Sequence, residues 1–276
     1  MPTVKVNDIN MYYEIHGDGF PLVMIMGLSA NADWWTPDLI EQCSRNYKTV
    51  IFDNRDAGRT DKPEINYSIK MFADDTAGLM DALNIERAHV LGVSMGGMIA
   101  QELVLNYPEK VEKIVLGCTH CGGSKQVLPS QDTLEQLTGS MEGVSPEEMF
   151  QAFLPYLYTE EFIKNNPELI ESVKQRVLIA PIPADAYQRQ INAIMGFNSY
   201  RRLKNIEVPT LVIHGKRDIL VPTENGEILA EKIPGAQLLL LDNAAHMYDQ
   251  PDTDKVISTT LEFLKAPIDR VIEEVV

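Results

Sequence analysis

The chain has 276 residues, 45% of them hydrophobic, and a formal net charge of -16 at pH 7. That length fits one large α/β domain or two small ones, and that apolar fraction supports a real core. The acid excess repels phosphate backbones, and the one dense basic cluster (Arg201, Arg202, Lys204) is too short to make a nucleic-acid surface.

No apolar run is long enough to span a bilayer, and residues 1–10 lack the basic-then-apolar order of a signal peptide. The expectation is a cytoplasmic protein, monomer or homodimer, with no nucleic-acid or membrane partner. Three cysteines, Cys43, Cys118 and Cys121, cannot all pair, which agrees with a reducing compartment.

Residues 3–6 and 11–16 read as two strands of an antiparallel hairpin, with Asn7, Asp8 and Asn10 around the turn. Apolar runs follow at 22–26, 49–52, 88–93, 111–117, 210–214 and 237–241. Stretches with helical spacing flank them at 71–83, 99–107 and 223–233. Strands alternating with helices predict an α/β fold with a mostly parallel sheet and helices on both faces. The unbroken apolar character of the runs fits strands buried on both sides.

The alternation stops between 122 and 205, too long a gap for a loop. Ser145-Pro146-Glu147-Glu148 is a capping box with proline at the first helical position, and Met149, Phe150, Phe153, Leu154 and Leu157 continue at helical spacing. The segment 122–205 is therefore expected to be a helical cap inserted into a core made of 1–121 and 206–276.

Gly92-Val93-Ser94-Met95-Gly96-Gly97 lies between the strand at 88–93 and a helical stretch ending near Tyr107-Pro108. A serine on a sharp strand-to-helix turn is the setting of a nucleophile elbow, and glycines two residues either side remove the Cβ atoms that would obstruct it. Such a serine needs a base. His16 and His89 precede it at strand termini and read as structural; His214 sits inside an apolar strand and reads as core. His246 lies in the loop after 237–241, where a base belongs in an open α/β sheet. The orienting carboxylate should follow another strand, and Asp218 follows 210–214; Asp242 and Asp249 are its rivals by closeness to His246. The order Ser94, Asp218, His246 is the order this arrangement takes along the chain.

With these residues in place the chain resembles the α/β-hydrolase superfamily over nearly its whole length. The elbow at 92–96, Gly215-Lys216-Arg217-Asp218-x-x-Val221-Pro222 and Ala244-Ala245-His246 match three family motifs in the right order, and the stretch from Asp53 to Asp61 is similar to a fourth, the loop after the family's fourth strand. The subgroup it most resembles holds small cofactor-free carboxylesterases, 3-oxoadipate enol-lactonases and non-haem haloperoxidases. The resemblance implies no cofactor and no metal, and an acyl-enzyme formed on Ser94. It also implies an oxyanion hole made by the N–H groups of Met95 and Leu28. At the oxyanion loop the family has His-Gly where this chain has Met26-Gly27. Serine at the nucleophile position, rather than aspartate, turns the reading away from epoxide hydrolysis and dehalogenation.

The expected activity is hydrolysis of small to medium carboxylic esters. A lactonase or perhydrolase on the same three residues is the alternative enzyme, and a triad-bearing ligand receptor the alternative of another class. Trp35 matches a family tryptophan downstream of the oxyanion loop. Trp35, Phe150, Phe153, Met195 and Phe197 are the expected substrate-binding residues, with Tyr156 and Tyr158 further apolar residues of the cap. Arg201 and Arg202, at the cap's end, are the nearest groups that could select a carboxylate. Cys118-Thr119-His120-Cys121 has the spacing of a metal knuckle but no second ligand pair; the residues are expected at the pocket entrance, with a free thiol open to thiol reagents. Arg55, Asp56 and Arg59 are expected to lock their own loop.

Overall fold

The first strands form a hairpin: β1 (Thr3–Val6) pairs antiparallel with β2 (Ile9–His16). Asn7 takes the left-handed backbone, φ 51°, that the tight turn requires and asparagine tolerates. The computed structural model describes residues 2–247 and 252–267; Asp249, one rival to Asp218, lies outside the described residues.

Six strands complete the sheet: β3 (Phe20–Ile25), β4 (Tyr47–Phe52), β5 (Ala88–Val93), β6 (Val111–Gly117), β7 (Thr210–Gly215) and β8 (Gln237–Leu241). The spatial order is β1-β2-β4-β3-β5-β6-β7-β8, and every pairing from β4 onward is parallel. Successive residues of β3 serve opposite faces. Val23 and Ile25 join a cluster with Phe72 of α2 (Ile69–Ala82), Ile99 of α3 (Met95–Asn106) and Leu229 of α9 (Glu224–Lys232). Leu22 and Met24 join one with Leu39 of α1 (Pro37–Ser44) and Ile257 of α10 (Thr253–Lys265). Helices on both faces explain why β5 and β7 are buried at every position and carry no alternating pattern. α3 starts at Met95, four residues before the apolar spacing announces it, because Gly96 and Gly97 hide its first turn behind poor helix propensity.

Five helices fill the interval between β6 and β7: α4 (Gln131–Thr138), α5 (Pro146–Leu157), α6 (Glu160–Asn165), α7 (Pro167–Val177) and α8 (Ala184–Met195). The capping box at α5 forms as expected: Ser145 Oγ accepts the Glu148 N–H and Glu148 Oε2 accepts the Ser145 N–H. These helices bury apolar clusters of their own, around Phe150, Leu154 and Phe162 and around Tyr187 and Ile191.

Polar bonds fix them over the loops that follow β3 and β4. Buried Gln190 accepts the Ser29 N–H and donates to the Arg55 carbonyl, both at 2.9 Å. Asn31 Nδ2 donates to the Ala180 carbonyl at 2.7 Å, and Arg189 pairs with buried Asp56 at 2.6 Å. The loop after β4 is further tied by Arg55 to Asp75 and Asp8, each at 2.7 Å, and by Arg59 to Asp33 at 2.7 Å.

His89, read as structural, is buried in β5 between the rings of Phe20 and Tyr47, with Nδ1 unpartnered among the described residues. Burial, reinforced by Lys113 and Arg87, pushes its pKa down to about 4. A histidine that titrates near 6.5 when unfolded then takes up a proton on unfolding between pH 6.5 and 4. Its contribution to stability is complete above 6.5 and falls away as the pH drops toward 4. Thermal melts across that window are expected to show a smaller pH dependence for His89→Phe than for the parent; equal slopes would remove His89 from the account.

Candidate active site

Ser94 stands between β5 and α3 at φ 56°, ψ −120°, a left-handed conformation that a serine adopts only under constraint. The constraints are backbone. The Ser94 N–H donates to the Gly117 carbonyl at 2.8 Å, and Thr119 Oγ1 donates to the Ser94 carbonyl at 2.7 Å. A Cβ on Gly92 would lie 2.2 Å from the Gly96 carbonyl oxygen, and one on Gly96 would lie 2.1 Å from that of Ile25. Only glycine fits either place. A Cβ on Gly27 would come within 3.0 Å of Ser94 Cβ, so the loop after β3 runs in contact with the serine, and Leu28 lines the same cavity. Met95 opens α3, whose first-turn N–H groups have no acceptor within the helix.

Asp218 and His246 are both buried and meet at 2.8 Å, Nδ1 of the imidazole donating to Oδ2. The other carboxylate oxygen accepts the N–H groups of Leu220 and Val221 at 2.9 and 2.8 Å. Burial opposes the charge on Asp218, yet the neighbouring His246 and His214 outweigh it and hold the carboxyl well below the usual range. The loops carrying the pair are locked to each other. Arg217 N–H donates to the Ala244 carbonyl at 2.9 Å, and a Cβ on Gly215 would meet that carbonyl oxygen at 2.3 Å. The Met247 N–H donates to the Leu157 carbonyl at 2.9 Å, joining the His246 loop to α5. Asp242, the other rival, is exposed and pairs with Lys216 at 2.6 Å.

With Nδ1 engaged by Asp218, His246 has Nε2 left to act as a base, and both His246 and Ser94 line one cavity. Among the described residues Ser94 Oγ has no hydrogen-bond partner; a nucleophile–base contact commonly closes only around substrate. The cavity encloses about 140 Å³. At roughly 10–15 Å³ per water-sized position, that is room for about ten such positions. Leu28, Trp34, Met149, Phe150, Phe153 and Met195 are among the lining residues, which among the described residues include no arginine, lysine, aspartate or glutamate.

Two of the expected substrate-binding residues lie elsewhere. Trp35 packs into the core beneath α1 and borders only a small space behind His246, while its neighbour Trp34 faces the cavity. Phe197 is buried against the sheet's core and tilted toward the His120 ring, not in the cavity wall. Tyr156 and Tyr158 are not lining residues either; Tyr158 stacks on Phe162. Arg202 is bound to Glu102 and Arg201 is exposed, so neither reaches the cavity.

His214, read as core, is fully buried but lies 3.5 Å from Asp218 while its Nε2 donates to the Val221 carbonyl at 2.8 Å. It braces the carboxylate, a role that four residues of strand and turn geometry create and an apolar strand pattern hides. The cysteines are all buried, not at an open entrance. Burial pushes the Cys121 thiol up to about 11 and that of Cys43 to about 12, which leaves little thiolate for reagents. Cys118 clusters with His214 and Asp218, without Cys121, and the bonds just described already occupy those two partners.

A model of the alpha/beta hydrolase fold matches residues 21–144. A protein of Azorhizobium caulinodans provisionally named carbamate hydrolase RutD is 31% identical over 258 residues, covering 92% of this chain and 94% of that protein. Among solved structures, the enol-lactonase from Burkholderia xenovorans LB400 is similar with a TM-score of 0.86 at 25% identity, covering 96% of this chain and 100% of that one. Est816, described as an N-acyl homoserine lactone degrading enzyme, is similar with a TM-score of 0.81 at 27% identity, over 95% of this chain and 100% of its own.

Proposed function

The chain belongs to the alpha/beta hydrolase fold family and is a hydrolase, and from that premise we propose that it cleaves neutral carboxylic esters of small to medium size through an acyl-enzyme. Ser94 is the nucleophile, His246 the general base and Asp218 the group that orients it. The observation that carries the reading is the 2.8 Å Asp218–His246 bond beside a cavity that Ser94 shares.

Ser94 Oγ attacks the carbonyl carbon while His246 Nε2 takes its proton, and Asp218 stabilises the imidazolium so formed. The N–H groups of Met95 and Leu28 receive the negative charge that develops on the carbonyl oxygen. Collapse expels the alcohol, which leaves with the proton from His246. Water, deprotonated by the same imidazole, then releases the acid and restores Ser94. The helices of 122–205 act as a cap that keeps the acyl chain dry.

Substrate class follows from the lining. A carboxylate drawn into the cavity would lose its hydration and find no arginine or lysine among the described lining residues to pair with. That disfavours an anionic enol-lactone. A small polar carbamate would leave most of the apolar wall uncovered. A neutral lactone is the second reading: its ring opens by the same steps, and the likeness to Est816 supports it. The test is a series of p-nitrophenyl esters of C4 to C10 acids beside the same chains ending in a carboxylate, with neutral lactones in parallel. The neutral esters are expected to exceed their carboxylate partners at least a hundredfold in kcat/KM, with many turnovers per chain. Equal rates would overturn the substrate class, and a single slow turnover would point to a receptor.

A further inference from the structure

The loop leaving β6 places one more polar group in the cavity wall. His120 lines the cavity together with Ser94 and His246. Its Nδ1 accepts the Gly122 N–H at 3.0 Å. A neutral imidazole has one N–H, so this bond assigns the proton to Nε2. The ring stays neutral at ordinary pH: burial, with His214 and His246 adding to it, pushes its pKa down to about 4. Among the described residues no protein group accepts from Nε2, and the atom is not sealed off among the buried unpartnered ones.

The donor is also held still. Gln101 Nε2 donates to the His120 carbonyl at 3.1 Å. Ser199 donates to the Cys121 carbonyl through its N–H at 2.8 Å and to Gln101 Oε1 through its hydroxyl at 2.7 Å. Thr119 is clamped to the elbow at Ser94, and the Gly123 N–H donates to the Phe197 carbonyl at 3.1 Å. A rigid donor in a mostly apolar wall is a cost to a purely hydrocarbon ligand, which strips its water and offers no acceptor. The same donor favours a ligand with an oxygen in reach.

We propose that His120 is a specificity-determining residue whose Nε2–H binds a second oxygen of the substrate, so that the preferred substrates are neutral esters or lactones bearing a hydroxyl, keto or ether oxygen apart from the scissile group. This rests on the hydrolase reading given above. The test uses esters of one length with and without a hydroxyl at C2, C3 or C4 of the acyl part, or at the matching positions of the alcohol part.

At least one hydroxylated ester is expected to exceed its parent about tenfold in kcat/KM, mainly through KM, as binding alike in ground and transition state requires. In His120→Asn, Oδ1 replaces Nδ1 as acceptor for Gly122 but no donor reaches the cavity, and the ratio falls to about one. His120→Gln, whose amide nitrogen takes the place of Nε2, restores part of it. His120→Phe serves as the donor-free variant if the asparagine chain does not fold. Absence of any preference in the parent, or its survival in the donor-free variant, overturns the role of His120. Labelling of Ser94 by a fluorophosphonate is read in parallel: no labelling and no turnover overturns the hydrolase reading itself.

Discussion

Ser94→Ala is expected to lower kcat on a neutral p-nitrophenyl ester about 10⁶-fold and to abolish fluorophosphonate labelling. The substitution deletes one oxygen from a residue whose backbone is held by Gly117 and Thr119, so the elbow and the melting temperature should survive it. What is lost is the covalent route. Without Oγ no acyl-enzyme forms, and His246 can at best direct water at a substrate placed for another nucleophile. His246→Ala should cost about as much, because the serine is a weak nucleophile without a base. The double variant should be little slower than either single one, since groups that act as a unit do not contribute additively. The measurements are kcat by ester hydrolysis, labelling by intact mass and folding by circular dichroism. Undiminished hydrolysis by folded Ser94→Ala would end the assignment, and multiplicative losses in the double variant would show that the two residues do not work together.

The sheet was legible because its physics is local. A strand covered on both faces is mostly apolar, as β5 is, and β5, β6 and β8 begin and end where their apolar runs do, β8 even though it is an edge strand with exposed residues. The elbow was legible for the same reason: Gly92 and Gly96 are demanded by carbonyl oxygens within about 2 Å of any Cβ placed there, so the sequence carries the mark of the turn. The cavity wall was harder. Trp34 and Trp35 are neighbours around the end of a short 3-10 turn (Ala32–Trp34) capped by Asn31, and which indole faces the cavity depends on the twist of that turn. Phe197 is placed by a carbonyl that meets Gly123, 74 positions earlier, and no local pattern records such a contact. The sequence puts His120 near the pocket as part of a cysteine motif but hides its role, because its Nδ1 bond to Gly122 and its open Nε2 exist only once the loop is folded over α3. Residues whose role rests on backbone strain write themselves into the sequence as glycine and order; residues whose role rests on direction do not.

Asp218→Asn tests direction most sharply. One carboxylate oxygen accepts the Leu220 and Val221 N–H groups, and the other accepts His246 Nδ1–H. An asparagine has one acceptor oxygen and one donor nitrogen. The two backbone donors claim the oxygen, since turning the amide round would set its N–H groups against theirs. Its nitrogen then faces His246, and the imidazole must offer Nδ1 as an acceptor, which moves its own proton to Nε2. A ring protonated at Nε2 cannot take a proton from Ser94. The expected loss is about 10⁴-fold in kcat at neutral pH, with KM little changed. Nitrogen chemical shifts of the His246 ring would report the tautomer directly. The acid limb of stability should change as well. The Asp218 pKa is depressed on folding, so the folded chain binds fewer protons than the unfolded one; the charged carboxylate contributes stability above about pH 4 that is lost on acidification. Below pH 4 the asparagine chain should therefore lose stability less steeply than the parent. A variant with near-parental kcat and Nδ1 still protonated would mean that the 2.8 Å bond to Asp218 does not govern the ring, and that some other group sets the tautomer of His246.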